Sequence, residues 1–568
     1  MLQPAAAPYP PEVAPNNIAR HLAQMARERP SQVAVVMGEG RDRAGRPIYR
    51  RLSFAELNTV SDRYAWGLSA AGVRRGARVL SMVPAGLPLI SLTFALLKIG
   101  AVPVLIDPAM GRRNLAQCIA ECAPEVMIGV PRAQLARMLF REAFRSVRLS
   151  VNVGSRLVPL GDVNLADLSV PLHTPFATAD VAADEAAAII FTTGSTGVPK
   201  GVLYEHGMFD AQVRVLRELF QVEPGEVEMP AFPLFALFNV ALGVTSAIPP
   251  IDPTKPASCD PAAVVAFVRD QAVGSSFGSP AIWSRVADWC LERGETLPSL
   301  RRVMMAGAPV PAALHERFRR LLAPGADTYT PYGATEALPI TSISGAEVLA
   351  ALAERGADPA AGTCVGRPAP EVTLRIIPIS DEPIAEWDEA LALPPGQVGE
   401  IVVKGPSVTK AYVARPEATA LAKIRDGEAL WHRMGDLGYL DEEGRLWFYG
   451  RKSHRVETGQ ATLFTEPVEL AFNRHPGVAR SALVGVGPAG RQRPVVVIEP
   501  ADRRALRDRR AAARLLAELR ELAAAHAVTA GISTFLLHPS FPVDIRHNAK
   551  IFRERLAVWA AAQLEQRP

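Results

Sequence analysis

From Asn17 to Ile190 the chain alternates two hydrophobic periods. Apolar positions at helical spacing predict helices at Phe54–Ala71 and Leu89–Ile99, and short apolar runs predict strands at Ala77–Met82 and Val102–Ile106. Such alternation implies βαβ units and a parallel sheet covered on both faces. A second stretch of this kind runs from Phe209 to about Thr330, with a helix at Pro261–Asp270 and strand-like segments at Ala272–Phe277 and Ser299–Ala306. Past Gly362 the period shortens. Val372–Ile377, Gly399–Lys404, Gly438–Leu440 and Arg445–Tyr449 read as short alternating strands, with turns at Pro394-Pro395-Gly396 and Asp441–Gly444, and predict a distorted antiparallel barrel. Beyond Arg451 comes a compact α+β segment with strands at Ala482–Val486 and Pro494–Ile498. Residues 379–395 hold five acidic side chains and exceed what a hairpin needs, which predicts a surface insertion. Periodicity alone therefore gives an α/β protein of two domains.

Composition narrows this a little. The chain has 568 residues, 49% hydrophobic and 21% charged, a globular balance with ample length for a large core. A net charge of +4 with dispersed basic residues gives nucleic-acid binding little support. The densest basic run, Arg503–Arg514, alternates with Ala and Leu at helical spacing and reads as a solvated helix face. Among five cysteines, Cys118 and Cys122 share one helix face, and no further pair completes a zinc pattern. They read as small buried apolar residues in a reducing cytoplasm. The opening Met1–Pro8 lacks the basic start and apolar core of a signal peptide. The most apolar window, residues 84–106, is interrupted by Lys98 and three prolines and fits a buried helix–strand pair rather than a transmembrane span.

The chemistry is concentrated in residues 191–201, Phe-Thr-Thr-Gly-Ser-Thr-Gly-Val-Pro-Lys-Gly, directly after the apolar run Ala187–Ile190. Gly194, Gly197 and Gly201 let backbone approach an anion closely. Thr192, Thr193, Ser195 and Thr196 add hydroxyl donors, and Lys200 adds a positive charge. A triphosphate suits such a loop. The pattern is not the common P-loop, because Pro precedes Lys200 and Gly follows it. A flexible linker would need neither the preceding strand nor the Pro-Lys-Gly end.

This string resembles the phosphate loop of the adenylate-forming superfamily, which includes acyl-CoA synthetases, luciferases and peptide-synthetase adenylation domains. Further matches follow in the family's order. Pro331-Tyr-Gly-Ala-Thr-Glu336 resembles the second signature, which implies adenine stacking by Tyr332 beside Gly333, a phosphate contact from Thr335, and Mg²⁺ held by Glu336. Gly435-Asp-Leu-Gly438 resembles the third, placing Asp436 on the ribose hydroxyls. Gly450-Arg451 resembles the start of a hinge, with Arg451 also on ribose, and Pro542–Lys550 the segment bearing a mobile catalytic lysine, Lys550. Gly307-Ala308-Pro309 resembles the turn at the adenine edge. Segments Pro233–Phe238 and Phe277–Pro280 resemble the acyl-pocket lining, which implicates Phe235, Phe238, Phe277 and Gly278. Ala236 stands where many relatives carry His, so the wall there should be apolar and roomy. The implied architecture is a flexible lead (1–15), a large N-terminal adenylation domain (16–450) of mostly parallel sheets with the barrel, and a small mobile α+β lid domain (451–568).

The resemblance implies ATP and Mg²⁺ as cofactors and attack of a carboxylate on the α-phosphorus. It departs from CoA-using relatives at the hinge. Glu457 stands where Lys is usual, Gly459 comes one place early, and Asp-Ile-Arg-His-Asn-Ala-Lys replaces Thr-x-x-Gly-Lys. These changes weaken the expectation of a thiol acceptor. Over nearly its full length the chain is most similar to the branch that closes 2-alkyl-3-hydroxy fatty acids to β-lactones in bacterial long-chain olefin biosynthesis. That implies assembly with a 3-keto-acid reductase and a β-lactone decarboxylase. The alternative is a long-chain fatty acyl-CoA synthetase. His206 and His454 are candidates to accept the substrate hydroxyl proton, though His206 also resembles a substrate-positioning residue and His454 reads rather as a residue of the hinge.

Overall fold

The computed structural model describes residues 14–107, 110–154, 160–169, 174–192, 199–232, 234–354, 358–543 and 551–565. The first βα run builds a seven-stranded sheet in the order Val163–Asn164, Leu149–Asn152, Val126–Gly129, Arg78–Met82, Val102–Leu105, Ala186–Phe191, Gly201–Glu205. All its pairings are parallel except the last, where Ala186–Phe191 and Gly201–Glu205 form an antiparallel pair on either side of the glycine-rich segment. Helix Phe54–Ala70 starts at a capping box: Ser53 Oγ accepts the Glu56 N–H at 3.2 Å, and Glu56 accepts the Ser53 N–H at 2.8 Å. Helix Leu87–Ile99, read as buried from its unbroken apolar run, is buried along almost its whole length.

The second run builds a fourteen-stranded sheet. Its parallel centre is Thr245–Ile248, Val227–Pro230, Ser275–Gly278, Arg302–Met305 and Asp327–Ala334. The strands expected to form a distorted barrel follow in antiparallel order and share one apolar core of Ile340, Val365, Leu374, Ile401, Val403 and Leu446. Thr363–Pro368 bonds to Ala337–Ser344 on one side and to Leu446–Arg451 on the other. One apolar core joins the two sheets, with Ala187, Val213, Phe220, Val240 and Met304 drawn from both. The acidic insertion is exposed but anchored: Trp387 stacks on Trp431 with ring centroids 4.3 Å apart, and Ile384 and Leu391 pack beside them.

The small domain carries its own core of Val468, Phe472, Leu483, Leu519 and Phe535 around a three-stranded sheet. Gly450, where a hinge is expected, has φ +117°, and a Cβ there would strike Thr465 Oγ1 of the small domain. Just after it, Lys452 Nζ lies 3.0 Å from Glu400 and donates to Ser380 O at 2.7 Å. Glu400 is also paired with Arg433 at 2.6 Å, both fully buried. The insertion thus reaches the segment that joins the two domains. No helix among the described residues is long and apolar enough to cross a membrane.

Candidate active site

The site is built at the ends of strands. Phe277, Met304 and Tyr329 lie level across three parallel strands, so the segments leaving their carboxyl ends emerge together. Those segments are Gly278, the turn Gly307-Ala308-Pro309, and Tyr332–Glu336. In parallel sheets this edge is where ligands bind. The mouth of the phosphate loop is closed by the Thr192 N–H donating to Lys200 O at 3.0 Å. Lys200 Nζ stands 4.8 Å from the centre of the Tyr412 ring, a cation–π contact.

Tyr412 also donates its hydroxyl to Glu336 Oε1 at 2.7 Å, so it links the loop cation to the acid of the second signature. Glu336 is fixed by its backbone too, its carbonyl accepting the Thr409 N–H and Oγ1, each at 2.9 Å. The Thr409 carbonyl in turn accepts from Lys423 Nζ. Burial brings this ammonium down to about 7, opposed by the charge of Glu336. Tyr204 donates to the Thr335 carbonyl. Burial first, then the Glu336 charge, holds the Tyr204 and Tyr412 hydroxyls far above their ordinary range, so both remain donors. Gly333 is required where it stands, because a Cβ would sit 2.8 Å from Ala337 O.

Asp436 and Arg451 are cross-strand partners in register. Arg451 Nη1 lies 3.0 Å from Asp436 Oδ1, and the Tyr332 hydroxyl donates to Oδ2 at 2.6 Å. The guanidinium is held above its ordinary value first by Asp436, with Tyr332, Glu336 and Tyr412 adding to it, so the two halves of the polar cluster share one field. The donor set suits a nucleotide. A carboxylate braced by Arg and Tyr can accept ribose hydroxyls, Lys200 and the loop can meet phosphates, and the single Glu336 carboxylate fits a Mg²⁺ that keeps phosphate and water ligands.

On the apolar side, Phe235 and Phe277 stack with centroids 3.9 Å apart. The chain of rings continues through Phe238 and Phe209 to Tyr204, with steps of 6.0, 6.0 and 4.6 Å. It ends at the tyrosine bonded to Thr335. Gly278 is buried against Trp283. Beside these rings a narrow cavity of about 60 Å³ runs among Phe94, Leu105, Ile190, Leu237 and Phe238. Ala236 is fully buried on the helix that carries Phe235 and Phe238.

Of the expected residues, Thr193, Gly194, Ser195, Thr196, Gly197 and Lys550 lie outside the described residues. His206 is not brought to the cluster. It is buried, its Nδ1 accepts the Ile18 N–H at 3.2 Å, and burial lowers it to about 4, which fits a packing role. His454 packs at the seam of the domains, 3.5 Å from Glu554, and burial lowers it to about 3. Sequence reading missed Tyr204, Thr409, Tyr412 and Lys423. Their only local signal is a tyrosine in each of two extended segments that pair side by side, Gly201–Glu205 and Ala411–Val413.

Comparison with known proteins agrees with this geometry. The family described as AMP-binding enzyme matches residues 22–413. An olefin β-lactone synthetase of Xanthomonas campestris is 48% identical over 554 residues, covering 96% of this chain and 98% of the relative. One from Stenotrophomonas maltophilia is 47% identical over 566 residues, covering 97% and 99%. Among solved structures, an amide bond synthetase from Marinactinospora thermotolerans superposes with a TM-score of 0.76 at 24% identity, covering 96% of this chain and 99% of that one, which is a likeness of fold.

Proposed function

Because the chain belongs to the AMP-binding enzyme family, we propose that it converts a 2-alkyl-3-hydroxy fatty acid to a β-lactone through an acyl-adenylate, in bacterial long-chain olefin biosynthesis. A substrate carboxylate oxygen attacks the α-phosphorus of ATP, and the bond to the pyrophosphate oxygen breaks. Charge grows on the phosphoryl oxygens, so cations and donors must already point there. Lys200 and the loop supply them, with Lys550 as the second cation. Mg²⁺ held by Glu336 would neutralise phosphate charge; Tyr412, Thr409 and Lys423 keep that carboxylate in place. Asp436 and Arg451 hold the ribose, Tyr332 and Gly307–Pro309 border the adenine, and Thr335 lies beside phosphate.

In the second step the substrate's own 3-hydroxyl oxygen attacks the acyl carbon. The bond to the AMP oxygen breaks, the hydroxyl proton passes to water, and the four-membered ring closes. The nucleophile is tethered, which replaces a bimolecular encounter and contributes several kcal/mol, on the order of the effective-molarity advantage. The apolar lining of the slot and the ring wall match an alkyl chain in polarity, and the slot must widen to take a long one. The hinge segment, where relatives shape a thiol tunnel, here carries Glu457 paired with Arg455 at 2.9 Å. A cytoplasmic enzyme passing a reactive lactone to a decarboxylase, and receiving its substrate from a 3-keto-acid reductase, completes the reading.

The observation that carries adenylation is the convergence of Lys200, Glu336, Asp436 and Arg451 through Tyr412 and Tyr332. The test supplies a 2-alkyl-3-hydroxy acid with ATP and Mg²⁺, with and without CoA. Lactone without CoA is the expected product. A thioester formed only with CoA favours the acyl-CoA synthetase instead.

A further inference from the structure

Helix Pro131–Leu139 wears its apolar stripe on the outside. It connects Val126–Gly129 to Leu149–Asn152 in the seven-stranded sheet. Its inner side holds Ala133 and Gln134, both buried. Gln134 Nε2 donates to Val151 O at 3.0 Å and its Oε1 accepts the Ser150 hydroxyl at 2.6 Å. The outer side carries Leu135, Met138 and Leu139 at i, i+3, i+4 spacing, followed by Phe140, with exposures of 50%, 52%, 79% and 36%. A surface helix of a soluble domain ordinarily shows the reverse arrangement. Arg132, Arg141, Arg145 and Arg148 flank the stripe and are all exposed. The acid among them, Glu142, is paired with Arg145 at 3.3 Å.

The stripe is separate from the acyl slot. Leu105 and Ile190 line the slot, whereas their neighbours Val104 and Ile189 pack in the same cluster as Ala133. Successive strand residues point to opposite faces, so the sheet stands between slot and helix. Adenylation has no use for this surface.

We propose that the helix docks the enzyme on an anionic lipid bilayer. Three consecutive exposed apolar side chains at a helix end, collared by arginines, make a protruding wedge. That shape fits the headgroup boundary, with apolar groups inserted and guanidinium groups on lipid phosphate. A stable protein interface would need a much broader area. At the bilayer the enzyme meets the phase into which long-chain substrates partition; this last clause rests on the proposed function, whereas the docking surface does not.

The test is co-sedimentation of the full-length protein with vesicles of phosphatidylcholine alone and of phosphatidylcholine mixed with phosphatidylglycerol. Binding to the mixed vesicles is expected, weakening with salt. Leu139→Asp should reduce it roughly tenfold or more, and Arg141→Glu by about fivefold or more. Both variants should keep the parent's melting temperature and pyrophosphate release. Failure to sediment with anionic vesicles, or equal sedimentation of Leu139→Asp, overturns the proposal. So does a concentration-dependent dimer in sedimentation velocity that Leu139→Asp dissociates, because the stripe then belongs to a second copy.

Discussion

Asp436 and Arg451 face each other across neighbouring antiparallel strands, guanidinium to carboxylate at 3.0 Å, while Tyr332 holds the second carboxylate oxygen at 2.6 Å. A residue from the hinge, one from the third signature and one from the second thus meet at one carboxylate. Asp436→Ala removes the ribose acceptor and leaves both partners without their anion. The KM for ATP is expected to rise about ten- to hundredfold. Asp436→Asn keeps the Tyr332 hydrogen bond and should lose less. Titration of ATP in a pyrophosphate-release assay measures both.

Glu336 and Tyr412 divide differently. Glu336→Gln preserves an acceptor for the tyrosine hydroxyl but removes the negative charge, so adenylation should fall about a hundredfold and its dependence on Mg²⁺ should shift upward. Tyr412→Phe leaves the charge and removes one neutral donor, an effect of about fivefold. Rates over a Mg²⁺ series separate the two.

The slot of about 60 Å³ beside Phe238 is narrow for a long alkyl chain. Phe238→Ala opens it and should move the optimum toward longer or bulkier chains. Each added methylene that becomes buried improves kcat/KM by about fourfold. Substrates differing in alkyl length, compared in parent and variant, read this out.

Thr363 of the large domain donates to Glu466 Oε1 of the small domain at 2.6 Å. Burial raises this carboxyl to about 7, Glu469 raising it further while Thr363 and Arg553 oppose. The folded-state value lies above the unfolded one, so the folded protein binds the extra proton. Stability from this seam is full below the unfolded value, falls as pH rises, and is lost once pH passes about 7. Protection of residues 363–368, taken as exchange relative to the intrinsic base-catalysed rate at each pH, should therefore fall between pH 5 and 8, and Glu466→Gln should flatten that fall.

Much of this was legible because phosphate and nucleotide chemistry requires close backbone approach and particular side chains in short runs. The 191–201 loop, Tyr332–Glu336, Asp436 and Arg451 announce themselves locally, and helix Pro261–Asp270 and strand Gly399–Lys404 fall within their expected bounds. What sequence could not show depends on distant chain. Tyr412 reaches Glu336 only because Ala411–Val413 lies along Gly201–Glu205. The continuity of the barrel strands with the second sheet depends on which strand edges find each other, and alternation alone does not specify that. The acidic insertion reads correctly as surface, but its anchor is not legible, because Trp387 finds Trp431 by folding, not by sequence neighbourhood. His206 reads as chemical from its place after the loop, yet its buried ring accepts the Ile18 N–H.

The central claim concerns which bonds break, and oxygen labelling reads that directly. A 2-alkyl-3-hydroxy acid with ¹⁸O in both carboxyl oxygens is turned over with ATP and Mg²⁺ in the absence of CoA. One label is expected in the phosphate of AMP and the other in the lactone carbonyl, with an unlabelled ring oxygen. Unlabelled AMP, or ADP and orthophosphate in its place, contradicts the account, as does a labelled ring oxygen.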